Sequence, residues 1–334
     1  MIGEYENLLA RANADAAARN YAAAENGYLR ASRLEVDDQR VLSALADLYV
    51  NTERWEAAER IYRTAIQRKP NDQAAYIGLS YVLSQPVITA GISDRYDESE
   101  KMARLAIGLQ DGNAAAFDQL GMALERKGLI DGEAERAYRR SIELDPGYAR
   151  AYAHLGGLLL RRGLNNRAEI EFSTARTRAK SASSMIAVAE TFMSVQRFRD
   201  SIALLERLLR NDPKNVRALL MIGRAMIADG RSSEAEWYLR SSIAVSPNSF
   251  AGYSLLGELF LRQQKYDDAV RLFTQASKFA GGLDAPLLAG QLEAVGDGLL
   301  KLGKRAEAVL EFKKALALDP TRHRIEKKLR TSSH

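Results

Sequence analysis

The sequence contains no cysteine, which removes disulfides, thiolate metal sites, thiol nucleophiles and a lipidated N-terminal cysteine together. Histidine is nearly as scarce. The three present, His154, His323 and His334, are too dispersed to build a metal site or a triad with a serine. Only seven prolines occur in 334 residues, leaving room for much uninterrupted helix. No apolar run approaches the ~20 residues of a membrane span. Neither sign of charge dominates: 48 Lys and Arg stand against 43 Asp and Glu, an excess too small to announce nucleic acid without a localised patch. It suits an acidic partner. The start, Met-Ile-Gly-Glu-Tyr-Glu-Asn, carries acids where a secretory signal needs a basic start and an apolar run. The chain as written therefore predicts a cytoplasmic protein, or a periplasmic one if a signal has been removed. No Gly-rich phosphate loop and no paired-histidine motif appears, so neither an enzyme nor a cofactor, metal or small-molecule substrate is expected.

What is present is a repeat. Five of the prolines, Pro70, Pro146, Pro213, Pro247 and Pro320, close similar strings such as Leu-Asp-Pro, at intervals of 76, 67, 34 and 73 residues. One interval is a single unit of 34, and the others are two units with small insertions or a deletion. Ala24, Ala58, Ala134, Ala168, Ala235, Ala269 and Ala308 keep the same phase. Four residues after each stands Tyr28, Tyr62, Tyr138, Phe172, Leu239, Phe273 or Phe312, and seven after each another small residue, from Ala31 to Ala315. Small, large, small at i, i+4 and i+7 is one face of a helix onto which a second helix can close.

A second face precedes each of these: Leu42, Leu45, Ala46 and Tyr49; Phe117, Leu120, Gly121 and Leu124; Tyr152, Leu155, Gly156 and Leu159. It recurs around Gly223, Gly257 and Gly296. A glycine inside a helix costs about 1 kcal/mol against alanine, and its recurrence in phase points to crowded helix contacts. Between the two helices stand Gly128, Gly163, Gly230 and Gly303, where positive φ is often needed.

At these residues the sequence resembles the tetratricopeptide repeat family over nearly its whole length. The resemblance implies an all-α, right-handed superhelical solenoid of about nine helix-turn-helix hairpins with a C-terminal capping helix. The units fall at 1–38, a degenerate N-terminal cap with Arg11 and Asp15 where apolar residues belong, and then at 39–72, 73–113, 114–148, 149–181, 182–215, 216–249, 250–283 and 289–322. The unit at 73–113 carries about seven extra residues around Ser84 to Arg95, including Pro86 and Gly91, which read as a longer loop. Residues 323–334 form a basic amphipathic capping helix and tail, with Ile325 and Leu329 at i, i+4 covering the solenoid's exposed end.

In this family the first helices line a concave surface that commonly holds a partner's peptide or helix. With the packing face of each first helix fixed, helical geometry assigns Arg126, Arg150, His154, Arg161, Glu190, Arg217, Arg224 and Glu258 to the partner-binding groove, together with Asp47, Tyr81, Met122, Glu125, Arg262 and Asp297. The middle units are the most positive, so the expected partner is a protein or peptide with an acidic segment or a C-terminal carboxylate. The competing expectation is that these arginines are solvated or self-paired. The family's chaperone-tail clamp is not expected, because the matching slots hold Ser43, Asp47, Gly78, Ala115 and Gln119 without asparagines. Trp55 is expected in the core and Trp237 partly exposed. The function implied is a protein-interaction scaffold. One alternative is a bacterial envelope assembly factor for pili, secretion or exopolysaccharide export. A nucleic-acid-binding helical repeat is the other, and the interleaved Glu and Asp argue against it.

Overall fold

The computed structural model describes residues 2–18, 20–34, 38–85, 92–129, 132–280 and 284–332. Among these residues it is helical throughout, with nineteen helices and no strand. Nine hairpins follow in order: α1 (Ile2–Ala17) with α2 (Tyr21–Ser32), α3 (Arg40–Asn51) with α4 (Trp55–Arg68), α5 (Gln73–Leu83) with α6 (Ile92–Leu109), α7 (Ala114–Arg126) with α8 (Gly132–Leu144), and α9 (Ala149–Arg161) with α10 (Asn165–Arg178). Then come α11 (Ala182–Ser194) with α12 (Phe198–Asn211), α13 (Val216–Ala228) with α14 (Ser232–Val245), α15 (Phe250–Arg262) with α16 (Tyr266–Ala276), and α17 (Ala285–Lys301) with α18 (Arg305–Leu318). A last helix, α19 (His323–Ser332), follows α18. Pro86 and Gly91 of the expected longer loop, the glycines 281 and 282, and His334 lie outside the described residues.

The chain folds this way because the repeated punctuation sets each end. Lys69, Asp212, Ser246 and Asp319 leave helical geometry and close a second helix just before a proline. Proline cannot continue a helix and restrains the residue before it. Two residues beyond the proline a side chain starts the next helix: Asp72 accepts from the Ala75 amide at 3.2 Å, Asn215 from Ala218 at 3.1 Å and Ser249 from Gly252 at 3.0 Å. Such caps satisfy backbone donors that would otherwise be orphaned. The inter-helix turns are left-handed at Gly128, Gly163, Gly230 and Gly303. At the first of these, the Leu129 amide reaches back to the Leu124 carbonyl at 2.9 Å, the six-to-one bond of a Schellman ending.

The repeated glycines have a steric cause. A Cβ on Gly121 would lie 2.5 Å from the Tyr138 ring, and one on Gly257 the same distance from Phe273. Both rings are fully buried, so the large residue of each second helix sits where a side chain on the first helix would be. α5 uses serine in that slot, and the buried hydroxyls of Ser80, Ser84 and Ser99 hydrogen-bond one another. α1 also packs inward, burying Tyr5, Leu9 and Ala12 against Ala24, Tyr28 and Ala31, while Arg11 and Asp15 line a small hollow shared with α2.

Odd-numbered helices touch the next odd-numbered helix from α5 through α17, whereas successive even-numbered helices do not make comparable contacts. The first helices are therefore crowded together and the second helices splayed, which curves the array with the first helices inside. No described helix is long and apolar enough to cross a membrane.

Candidate partner-binding interior

The curvature is tight enough that residues far apart in sequence meet across the interior. Glu53 from the α3–α4 turn pairs with Arg224 of α13 at 2.6 Å. Tyr81 near the end of α5 donates to Glu190 of α11 at 3.1 Å and accepts from Arg217 of α13, which also pairs with Glu190. The Arg217 guanidinium lies 5.5 Å from the ring centres of both Trp55 and Tyr81, and Arg150 of α9 lies 4.9 Å from Tyr81 on the same network. Planar guanidinium stacks readily on aromatic faces. Burial is the main cause that pushes the Tyr81 phenol up to about 12, with Arg217 opposing and Glu190 adding to it. Tyr81 is therefore a neutral donor at any physiological pH.

Between these bridges is a cavity of about 530 Å³ lined by Trp55, Tyr81, Met122, Arg126, His154 and Arg161, with Glu53, Glu125, Glu190, Met193, Met221 and Arg224 completing its walls. Of the residues assigned to the groove from sequence, Arg126, His154, Arg161, Glu190 and Arg224 line it directly. Arg150 and Arg217 lie behind its wall. Glu258 does not join them: it pairs with Arg262 on the same helix at 2.8 Å, and both are part of a solvated surface. Asp47 is open to solvent yet surrounded by protein, and desolvation pushes its carboxyl up.

The arginines are mostly self-paired. Arg150 Nε lies 2.9 Å from Asp118 Oδ2 and His154 Nδ1 lies 2.8 Å from Asp118 Oδ1, with Asp118 fully buried. Arg161 meets Glu125 at 2.6 Å, and Arg217 and Arg224 are held by Glu190 and Glu53. Asp118 and Glu53 are counter-charges that the helical phase alone does not assign to the groove. Arg126 at the end of α7 is exposed and has no carboxylate partner among the described residues. Among the described residues the interior is thus a nearly neutral, bridged cavity with one guanidinium, that of Arg126, lacking a carboxylate partner; this agrees with the expectation of self-paired arginines and not with that of a positive stripe. Trp55 is half-buried and packs against the core, as expected, and also lines this cavity. Its signal in sequence is the neighbouring Glu53, which stands where other units have a turn glycine. Trp237 is 64% exposed on the outer face, as its phase predicts.

A larger hollow of about 630 Å³ opens on the outer side of α6, lined in part by Pro70, Tyr76, Leu105 and Leu109. Its rim is self-satisfied, Arg104 with Glu100 and Glu133, and Lys127 with Asp97 and Glu100. The inner cavity unites six hairpins, the second to the seventh; the outer hollow draws on the third and fourth and on Pro70 just before them. No group of three metal-binding side chains gathers among the described residues.

Tetratricopeptide repeat models match residues 189–249 and, in a second model, residues 41–74 and 253–280. These stretches are tetratricopeptide repeats. Its fold is similar to a chain in the crystal structure of the APC/C hetero-tetramer Cut9–Hcn1, with a TM-score of 0.51 and 15% identity over 93% of this chain and 60% of that one. It is also similar to the human IFIT1 dimer with PPP-AAAA, with a TM-score of 0.54 and 14% identity over 98% and 80%. The protein spans 60% of the length of the first of these. At such identities the likeness is one of fold. No curated protein matches the sequence. The repeats support a general role as a protein-interaction scaffold.

Proposed function

We propose that the protein holds a short segment of a partner protein in its concave interior, with an acidic side chain or chain end of the partner directed at Arg126. The observation that carries this reading is the central cavity: it joins an unpaired guanidinium to apolar walls of Met122, Met193, Met221 and Trp55. Unbranched, polarisable methionines adapt to varied side chains, and a guanidinium matches a carboxylate with two parallel hydrogen bonds. The bridges from Glu53 to Arg224 and from Tyr81 to Arg217 cross the interior, so a partner segment ends at the cavity or displaces them. Glu53, Glu125 and Glu190 in the same wall disfavour a phosphate backbone, which would meet those carboxylates directly.

The test is affinity capture from a lysate of the source cells with the wild type, Arg126→Glu and the outer-face variant Trp237→Ala. Capture weakened in Arg126→Glu and retained in Trp237→Ala is expected, with the far-UV helical spectrum unchanged in all three. An identical set of captured proteins for Arg126→Glu would sink the reading.

A further inference from the structure

Each inter-helix turn that ends in a left-handed residue has to place it where a side chain is disfavoured. Four hairpins use glycine there, and the second uses Glu53, at φ 55°. Gln196 and Gln264, at φ 61°, hold the same place in other hairpins, and both are exposed. Glu53 is different. Its side chain is 5% exposed, and its carboxylate faces inward to Arg224. The Arg54 amide reaches the Tyr49 carbonyl at 2.8 Å, so this turn has the same Schellman ending as the glycine turns, and the surrounding helix ends hold Glu53 in its disfavoured conformation.

Arg224 is the open member of the pair, with 41% of its side chain exposed toward the cavity. Arg126 lines the same cavity and has no carboxylate partner among the described residues. The second and third hairpins approach the seventh through a few polar bridges, chiefly Glu53 with Arg224 and Tyr81 with Arg217, and through Arg217 against Trp55. Those contacts are what a carboxylate arriving in the cavity would compete with.

We infer that the cavity is a carboxylate-binding site closed from within: Glu53 occupies on Arg224 the place that a partner's acidic side chain or chain end takes, and its displacement opens the interior. The inference rests on the concave interior being the partner-binding surface. A ligand shifts such an equilibrium only by its preference for the open form, and apparent affinity falls with the fraction of molecules that are open. An internal carboxylate therefore sets a threshold that a single weak acid does not pass, while an acidic segment with apolar neighbours fitting the methionine walls does.

The test uses the full chain with Glu53→Gly, which keeps the left-handed turn, and Glu53→Gln, which keeps the side chain without its charge. Binding of a fluorescein-labelled Leu-Glu-Leu-Glu-Leu-Glu peptide and its Leu-Gln counterpart is read by fluorescence anisotropy. Opening is read by pulsed electron paramagnetic resonance between spin labels on cysteines introduced at exposed Gln67 and Ser233. Both Glu53 variants are expected to bind the acidic peptide roughly tenfold more tightly than the wild type, and Arg224→Met in either background to remove the gain. The label distance is expected to lengthen in Glu53→Gly and in the wild type saturated with acidic peptide. Equal affinity in wild type and variants, equal gain for the Leu-Gln peptide, or an unchanged distance in Glu53→Gly overturns the inference. If lysate capture still depends on Arg126 while any of these holds, the internal competitor fails and the partner-binding surface stands.

Discussion

Glu53 and Arg224 are 171 residues apart in sequence and 2.6 Å apart in space. Each repeat packs on its neighbours, yet this pair joins the second hairpin to the seventh. Its geometry is the sum of the small rotations of the hairpins between them, so the interior depends on every intervening packing contact. That dependence makes buried polar clusters and tight helix contacts in those hairpins measurable.

The first cluster is Asp118 with Arg150 and His154. Asp118 is fully buried, and removing one member of a buried ion pair typically costs ~3–5 kcal/mol because the remaining charge is stranded. Asp118→Ala is expected to lower the urea midpoint strongly, with the loss of amide-exchange protection centred on α7 and α9. Arg150→Met in the Asp118→Ala background should recover part of it. A midpoint within error of the wild type would show that the cluster contributes nothing.

The glycine slots give a second expectation. Gly121→Ala places a methyl group against the buried Tyr138 ring, and such overpacking costs about 1–3 kcal/mol. In a Tyr138→Ala background, which is itself strongly destabilised, the Gly121→Ala cost should disappear, since the atom it meets is gone. Additive costs in the double variant would refute the contact as the cause.

Alkaline pH tests the phenols. Tyr5, Tyr49, Tyr81 and Tyr148 are each pushed up to about 12, burial being the largest cause in every case, against an ordinary 10.0. The folded state keeps these protons to higher pH than the unfolded chain, so their contribution is complete below pH 10 and is lost as pH rises toward 12. Tyr81→Phe should melt below the wild type at pH 8, having lost its bonds to Glu190 and Arg217. The gap should narrow between pH 10 and 12, followed by circular dichroism. A gap independent of pH would contradict the assignment.

The last helix is fastened chiefly by Glu293, with Asp297 sharing Lys328 at 2.6 Å. Glu293 of α17 is 3% exposed and accepts from Arg322 at 3.1 Å, Arg324 at 2.8 Å and Lys328 at 2.8 Å. Desolvation pushes its carboxyl up, but hydrogen bonds from Lys328 and Arg324 prevail and hold it below the ordinary 4.5. This contribution is present above that value and lost as pH falls through the lowered one. A spin label at exposed position 330 should be immobile at pH 7 in the wild type and mobile in Glu293→Gln. The wild-type label should become mobile only in acid below about 4.5. Equal mobility of both proteins at pH 7 would refute the clasp.

The hairpins were legible because their causes are local. Proline and the cap two residues later fix helix ends, and the Gly121–Tyr138 contact leaves a mark in both helices of one unit. The burial of Ile325, on the inner face of α19, follows from the i, i+4 pair read in the tail. The site was legible only in part. Helical phase places Arg126, His154, Arg161, Glu190 and Arg224 on the inner face, but phase alone cannot say which hairpins meet across it, so Arg224's pairing with Glu53 and Arg217's with Tyr81 were hidden. Glu258 has the right phase and lies in a hairpin whose inner face does not reach the cavity. Glu53 did leave a trace, as a charged side chain where Gly128, Gly163, Gly230 and Gly303 hold the corresponding turn.

The bridge from Glu53 to Arg224 also bears on how such a gene can change. A simple array lengthens or shortens by duplicating or losing one unit, because each new unit meets only a copy of its old neighbours. Between the second and seventh hairpins that freedom is gone here: one unit more or fewer would rotate Arg224 away from Glu53 and Arg217 away from Tyr81 in a single event. Copy number in this stretch is fixed by geometry, while the hairpins from α15 onward, beyond the bridges, stay free to vary.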